Sequence, residues 1–303
     1  MERTEWTLGS DDSGRRLDRI LRRVLKENSQ GAVESALRKG LVRLNGKKAK
    51  GSDLTSEGDV LSAASFLVSP LEEKAFSLAD CPYPIIFKNQ SLLFIDKPSG
   101  VPTHGPGSVA EFFSAQKNSS LSFCPAPLHR LDKETSGLLA LSQSLKGARW
   151  FSEKIKSHEI KKYYLGIVKG RLSRKELWED FIEETRGPEK NSFATSRAVQ
   201  EGGKAAKTIA EPLAHAAFNG QEISLVRFQI FTGRKRQIRA QGAARGLPIL
   251  GDKKYRGLVP GLEEGKFFLR AVRMEFPQND LGLPPFIDAG ESQDFLAFFK
   301  DSR

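Results

Sequence analysis

Cysteine and histidine are scarce in this chain of 303 residues, with 2 and 4 copies. Cys81 and Cys124 cannot build a disulfide framework, and so small a Cys/His set excludes a zinc cluster as the organising device. Long apolar runs are also missing. None approaches the roughly 18 residues that a membrane-spanning helix needs, and the opening MERTEWTLGSDD is acidic, without the apolar stretch of a signal peptide. A cytoplasmic protein with no membrane partner is expected. No GxGxxG follows a strand-like segment and no GxxxxGK is present, so a nucleotide cofactor has no visible seat. The sequence has no internal repeat and no low-complexity tract.

Charge is abundant and one-sided. The 48 Lys and Arg residues exceed the 37 Asp and Glu residues and leave a net charge of +11. Such a surface attracts polyanions, which puts nucleic acid first among partners. Much of the excess lies early: between Gly14 and Lys50 twelve basic residues stand against the three acids Asp18, Glu27 and Glu34. At 303 residues the chain is long enough for a large domain plus a small one. A small domain is expected over 1–65, a linker over 66–83 and a large domain over 84–303, because 66–84 (FLVSPLEEKAFSLADCPYP) mixes prolines and charges without a period.

Taken in order, Arg15 to Leu25 (RRLDRILRRVL) places Leu17, Ile20, Leu21 and Val24 on one helical face and its arginines off it. A second helix follows Ser29 and stops at Gly40, the residue best able to adopt a left-handed helix end. Leu41 to Leu44 alternates like a strand and breaks at Asn45-Gly46, a strong hairpin signal. Further on, Ile85–Phe87 and Leu92–Ile95 are expected as buried strands, with a sharp turn at Asp96–Gly100. Residues 104–118 carry little signal. A helix is expected over 144–157, strands over 161–170, 223–231 and 266–276, and a helix after the basic run Thr232–Arg239.

The most informative stretch is Pro127 to Ser142, PLHRLDKETSGLLALS. Thr135-Ser136-Gly137 forms a turn before an apolar strand, which presents Asp132 at the strand mouth, a common place for a catalytic carboxylate. Alone, this pattern is weak, because an Asp three residues before such a turn more often serves as a turn acceptor.

Several segments together change that balance. GRRLDRIL, SALRKGLVRLNGK and LTSEGDVLS, over about 14–62, resemble the alpha-L RNA-binding module. The resemblance implies that Arg15, Arg16, Arg22, Arg38 and Lys39 contact RNA phosphates, which positions RNA without reading its sequence. DKPSG, HRLDKETSGLL, KKYYLGIVKG, GKAAKT, TGRKRQIR and LPILGDKKY, in this order over about 84–276, resemble the RluA-type pseudouridine synthases, which isomerise uridine in ribosomal or transfer RNA. That resemblance implies an α+β fold: a mixed sheet flanked by helices behind a small alpha-L domain, with neither metal nor organic cofactor. It also implies a catalytic Asp132, with Tyr164 (not Tyr163) and Arg239 as its partners and with Arg130, His129, Arg234 and Arg236 as RNA contacts.

The chemistry suits these residue types. Breaking a sugar–base bond and remaking it at a ring carbon requires both fragments to be held. An ionised Asp132 can attack the sugar or remove a sugar proton, and the sequence leaves both open. A guanidinium close by favours the ionised form, and Tyr164 offers a flat face and a hydroxyl. A uridine inside a stem must be extruded, and Arg130 can fill the stack it leaves. The chain departs from the family at Arg236, Gln241 and Arg270, where many members carry histidine. Ribosomal RNA is the expected partner and a monomer the expected state. A transfer-RNA enzyme, a non-catalytic ribosome assembly factor and a nucleic-acid glycosylase are the alternatives.

Overall fold

The computed structural model describes residues 1–68, 81–114, 120–121, 123–185, 195–199 and 202–302. Most of the expected linker, 69–80, therefore lies outside the described residues.

The N-terminal part is built from β1 (Arg3–Thr7), α1 (Leu17–Val24), α2 (Gln30–Arg38), β2 (Val42–Leu44), β3 (Lys47–Lys48) and β4 (Val60–Ala64). The apolar face anticipated for α1 packs inward: Leu17, Ile20, Leu21 and Val24 are all buried. Ser29 caps α2 by accepting a hydrogen bond from the Ala32 amide at 3.3 Å. Asn45 and Gly46 both take positive φ, 51° and 73°, as a two-residue hairpin between β2 and β3 requires. The strand order is β1-β4-β2-β3, and the sheet with the two helices encloses a core running from Leu8 to Val68.

The remainder forms one mixed sheet. Its elements are β5 (Ile85–Lys88), β6 (Leu92–Lys97), α3 (Val109–Ser114), β7 (Ser136–Ser142), α4 (Leu145–Lys156), β8 (Lys161–Lys169), β9 (Glu176–Thr185), β10 (Thr195–Val199), β11 (Lys204–Phe218), β12 (Gln221–Ile230), α5 (Gln237–Ala244), β13 (Leu269–Glu275), β14 (Phe286–Asp288) and α6 (Gln293–Leu296). The order is β10-β9-β11-β12-β8-β13-β7-β6-β5, with β14 added beside β13. All of these pairings are antiparallel except that of β13 with β7, which sets Arg270 against Ser136 and Ala271 against Gly137.

Two expectations need correction, and a stretch without signal in the sequence holds a helix. Ile85 is 36% exposed because β5 is the edge strand of the sheet. Ser136 and Gly137 open β7 instead of forming a turn; the turn lies just before them, closed by the Thr135 amide on the Asp132 carbonyl at 3.1 Å. Within 104–118, Val109–Ser114 is a short helix, started by Ser108 Oγ accepting from the Glu111 amide at 3.1 Å.

Candidate active site

The segment that carries Asp132 is irregular, and its shape is imposed from the neighbouring stretch 96–103. Thr103 Oγ1 donates to the Leu131 carbonyl at 2.8 Å and accepts from the Leu131 amide at 3.1 Å. Lys97, fully buried at 0% exposure, donates to the carbonyls of Pro98 (2.9 Å), Val101 (2.7 Å) and Lys133 (3.2 Å). The Gly100 amide also donates to Lys133 O at 2.9 Å, and Ser99 Oγ to Glu134 O at 2.6 Å. Residues on both sides of Asp132 are thereby fixed, so its carboxylate is held on a preformed loop.

α5 brings Arg239 to that carboxylate. Nη1 donates to Asp132 Oδ2 at 3.0 Å, while Nε and Nη2 donate to the two oxygens of Asp252 at 2.6 and 2.9 Å. The guanidinium lies between the rings of Tyr255 and Phe267, 5.3 and 5.2 Å from their centres. Burial opposes its charge, but the hydrogen bonds and charges of Asp252 and Asp132 outweigh that, and its pKa is raised. Asp252 (1% exposed) thus orients Arg239 and leaves one edge of the fork for Asp132.

Tyr164 stands on β8, with Phe228 of β12 and Ala271 of β13 as its cross-strand neighbours. It is 7% exposed and shares a cavity of about 400 Å³ with Asp132 and Arg239. Burial, with the Asp132 charge, pushes the phenol pKa up, so the hydroxyl is a neutral donor. Tyr163 points to the other face of the sheet and donates to Glu275 at 3.2 Å. Period-two alternation along the strand separates the two tyrosines.

The expected RNA contacts divide. Arg130 is exposed beside the cavity, and Arg234 and Arg236 line it as well. Arg234 also donates from Nε to the Ala205 carbonyl at 2.9 Å, and Arg236 takes a left-handed φ of 55° at the start of α5. His129 lines the cavity too, with its ring engaged by the protein. Its ring stacks on Phe151, and Nε2 accepts from the Ala140 amide at 3.0 Å. Burial, helped by the Lys162 charge, lowers its pKa to about 3, so the ring is neutral and packs the loop.

In the N-terminal part, Arg16, Arg22 and Arg38 line one cleft of about 410 Å³ together with Lys48 and Lys50. Arg15 and Lys39 lie outside that lining, and Arg15 donates to the Asp11 carbonyl at 3.3 Å. Arg16 is paired with Asp18 at 2.7 Å.

Two of the departures from the family pattern have structural partners. Arg270 grips Asp96 with both arms, at 2.9 and 2.7 Å. Gln241 is fully buried, donating to Asp180 at 2.8 Å and accepting from Thr208 at 2.7 Å. Sequence reasoning passed over Lys97, Thr103, Asp252 and Lys162. Three of these sit inside the quoted segments DKPSG, LPILGDKKY and KKYYLGIVKG, while Thr103 carried no signal.

The site and the sheet define an RNA-modifying enzyme class, and similarity to known proteins agrees. The family profile described as RNA pseudouridylate synthase matches residues 91–244, and the S4 domain profile matches residues 15–61. The chain belongs to the RNA pseudouridylate synthase family and carries an S4 domain, the alpha-L type RNA-binding module, in front. Its relatives include the Escherichia coli protein named ribosomal large subunit pseudouridine synthase C, 30% identical over 297 residues that cover 90% of this chain and 88% of the relative. The Vibrio parahaemolyticus protein of the same name is 27% identical over 290 residues, covering 90% and 89% of the two chains. The solved structure of human RNA pseudouridylate synthase domain containing 4 shares the fold, with a TM-score of 0.57 at 21% identity over 72% of this chain and 92% of that one.

Proposed function

We propose that this pseudouridine synthase modifies uridines of large-subunit ribosomal RNA, with Asp132 as the group that starts the reaction. The supporting observation is the convergence of Asp132, Arg239 and Tyr164 in one cavity, with Arg239 pinned by the buried Asp252. The ribosomal target follows the names of the relatives above, and a cytoplasmic location belongs to the same reading. Among the described residues no helix is long and apolar enough to cross a membrane.

Arg239 pairs with Asp132 at 3.0 Å and aims its carboxylate. The carboxylate either bonds to the sugar C1′ or takes the proton from C2′. By both routes the electron pair of the C1′–N1 bond leaves with uracil. The ring turns against Tyr164 and C5 bonds to C1′ as the Asp132–C1′ bond breaks or, on the other route, as C2′ takes back its proton; the C5 proton then departs and N1 gains one. Arg130 fills the stack left by the extruded base. Arg16, Arg22 and Arg38 hold phosphates in the N-terminal cleft.

The test is Asp132→Asn, which matches the parent in size but neither attacks carbon nor accepts a proton. Tritium release from uridine labelled at C5 should occur with the parent enzyme on large-subunit ribosomal RNA and fall by at least ~10³ in the variant, with filter-retained RNA binding and the melting temperature preserved. A variant releasing tritium at the parent rate sinks the assignment to Asp132. Release by the parent from transfer RNA alone sinks the ribosomal reading.

A further inference from the structure

One buried cation of the active-site cavity has no protein partner among the described residues. Lys162 lies on β8 two residues before Tyr164, and strand alternation puts both side chains on the same face. Both line the cavity that holds Asp132. Lys162 is only 8% exposed, and its Nζ makes no hydrogen bond or ion pair with any described residue. The ammonium lies near Gly233, at whose position an added Cβ would be 3.7 Å from Nζ. Every other buried cation near the reaction is committed: Arg239 to Asp132 and Asp252, and Lys97 to three carbonyls. His129, close enough for its pKa to be lowered by the Lys162 charge, is neutral and engaged with the Ala140 amide.

A buried, unpaired ammonium is costly unless something arrives to pair with it. The exposed Arg234 suits a phosphate, which stays on the RNA backbone at the cavity mouth. Lys162 is buried on the strand face that carries Tyr164, against which the detached base turns in the reading above. Uracil presents carbonyl oxygens there, and when the C1′–N1 bond breaks they share the negative charge that the ring takes away.

We infer that Lys162 is a further catalytic residue, donating a hydrogen bond to a carbonyl oxygen of the target uracil and stabilising the anionic base while it is detached from the sugar. The contact strengthens as charge develops, which is the condition for accelerating the chemical step instead of merely tightening binding. Desolvation lowers the lysine pKa to about 8, so the group is charged at neutral pH and readily accepts an anionic partner. The inference rests on the reading of Asp132 as the group that starts the reaction.

The experiment compares parent, Lys162→Met and Lys162→Gln in single turnovers at saturating enzyme, on one RNA carrying uridine and on another carrying 5-fluorouridine at the target position. Fluorine makes the ring a weaker base and a better leaving group, so its departure depends less on Lys162. Lys162→Met is expected to slow uridine consumption about 10²–10³-fold, in the range for removal of one preorganised donor, with filter-binding affinity unchanged. Lys162→Gln, which keeps a neutral donor, should fall between. The parent-to-Met ratio should shrink severalfold on 5-fluorouridine. An equal ratio on both substrates, a parent-like rate for Lys162→Met, or weakened binding with an unchanged rate each overturns the role. Loss of the melting transition in both variants also overturns it, since the ammonium would then be serving the fold. Asp132→Asn in parallel separates the two readings: its activity reports on the Asp132 assignment, whereas the Lys162 inference fails alone if only the lysine variants behave like the parent.

Discussion

Lys97 and Lys162 are both buried ammonium groups, each held at a pKa of about 8 chiefly by desolvation, and they differ in what surrounds the nitrogen. In the unfolded chain each would titrate near 10.5, so between about 8 and 10.5 the unfolded state binds more protons. Their contribution to stability therefore rises with pH across that window, and below it the desolvation penalty is present in full. Lys97→Met and Lys162→Met are expected to move stability in opposite directions at pH 7. Replacing Lys162 removes a penalty on the order of 2 to 3 kcal/mol and strands no carbonyl, so the melting temperature should rise and the upward slope between pH 8 and 10.5 should flatten. Replacing Lys97 leaves the carbonyls of Pro98, Val101 and Lys133 without their donor, at roughly 1 to 3 kcal/mol for each that stays unsatisfied, and the melting temperature should fall. Thermal melts at pH 7 and pH 9.5 decide it: a drop for Lys162→Met at both values would mean that its ammonium has a structural partner.

Among the elements, the pairing of β7 with β13 carries most of the site, because it joins the Asp132 turn to the sheet that bears Tyr164. Gly137 makes that approach feasible. Its φ is +104°, and an added Cβ would sit 2.1 Å from the Ala271 carbonyl oxygen, which is backbone and cannot rotate away. Gly137→Ala is expected to cost more than about 3 kcal/mol in a denaturant titration and to lower turnover with it. Parent stability in the Gly137→Ala variant would show that β7 can separate from β13 without loss. How far such elements could be read from the sequence depended on how many faces they bury. β6, β7 and β8 are covered on both faces or begin in strong turn residues, so their apolar runs stood out. β9, β10 and β11 are not among the strands expected from the sequence. One face of this hairpin region faces solvent, leaving Leu177, Phe181 and Leu213 exposed, and the alanine-rich β11 is interrupted at Pro212, where the register with β12 shifts. The Asn219-Gly220 turn between β11 and β12, with φ of 49° and 75°, was a usable hairpin signal that went unused.

At the scale of the molecule, two basic concentrations far apart in sequence have different structural partners. The buried cations lining the reaction cavity are Arg239, tied to Asp132 and Asp252, and Lys162, without a hydrogen bond or ion pair among the described residues, while the cleft of Arg16, Arg22 and Arg38 with Lys48 and Lys50 forms a separate basic face on the S4 domain. The N-terminal part is connected to the catalytic sheet by acids: Asp11 Oδ1 accepts from the Leu145 amide at the start of α4 at 2.7 Å, and Asp12 Oδ1 accepts from Ser120 Oγ at 2.7 Å. The triple variant Arg22→Gln, Arg38→Gln, Lys48→Gln should lower RNA affinity and reduce the log–log salt slope by about 0.7 to 0.9 per lost phosphate contact, with chemistry at saturating enzyme unchanged. Filter binding between low and moderate salt checks this, and an unchanged slope would assign the cleft to solvent.

The sequence by itself determined what local spacing can encode: the two amphipathic segments of the S4 domain, the Asn45-Gly46 hairpin, the apolar strands and the ordered motifs that mark the family. Asp132, Tyr164 and Arg239 could be nominated because each belongs to a recognisable short motif. What those residues touch was decided only when the chain closed on itself. Asp132 and Arg239 are 107 positions apart and Arg270 and Asp96 are 174 apart, and no local periodicity specifies such pairings. The inward turn of His129, the clamp of Thr103 on Leu131 and the unpaired Lys162 arise in the same way. Burial and partner identity are properties of the packed interior, where one strand's alternation selects which of two adjacent tyrosines shares a cavity with Asp132 and no described residue makes a hydrogen bond or ion pair with the Lys162 ammonium.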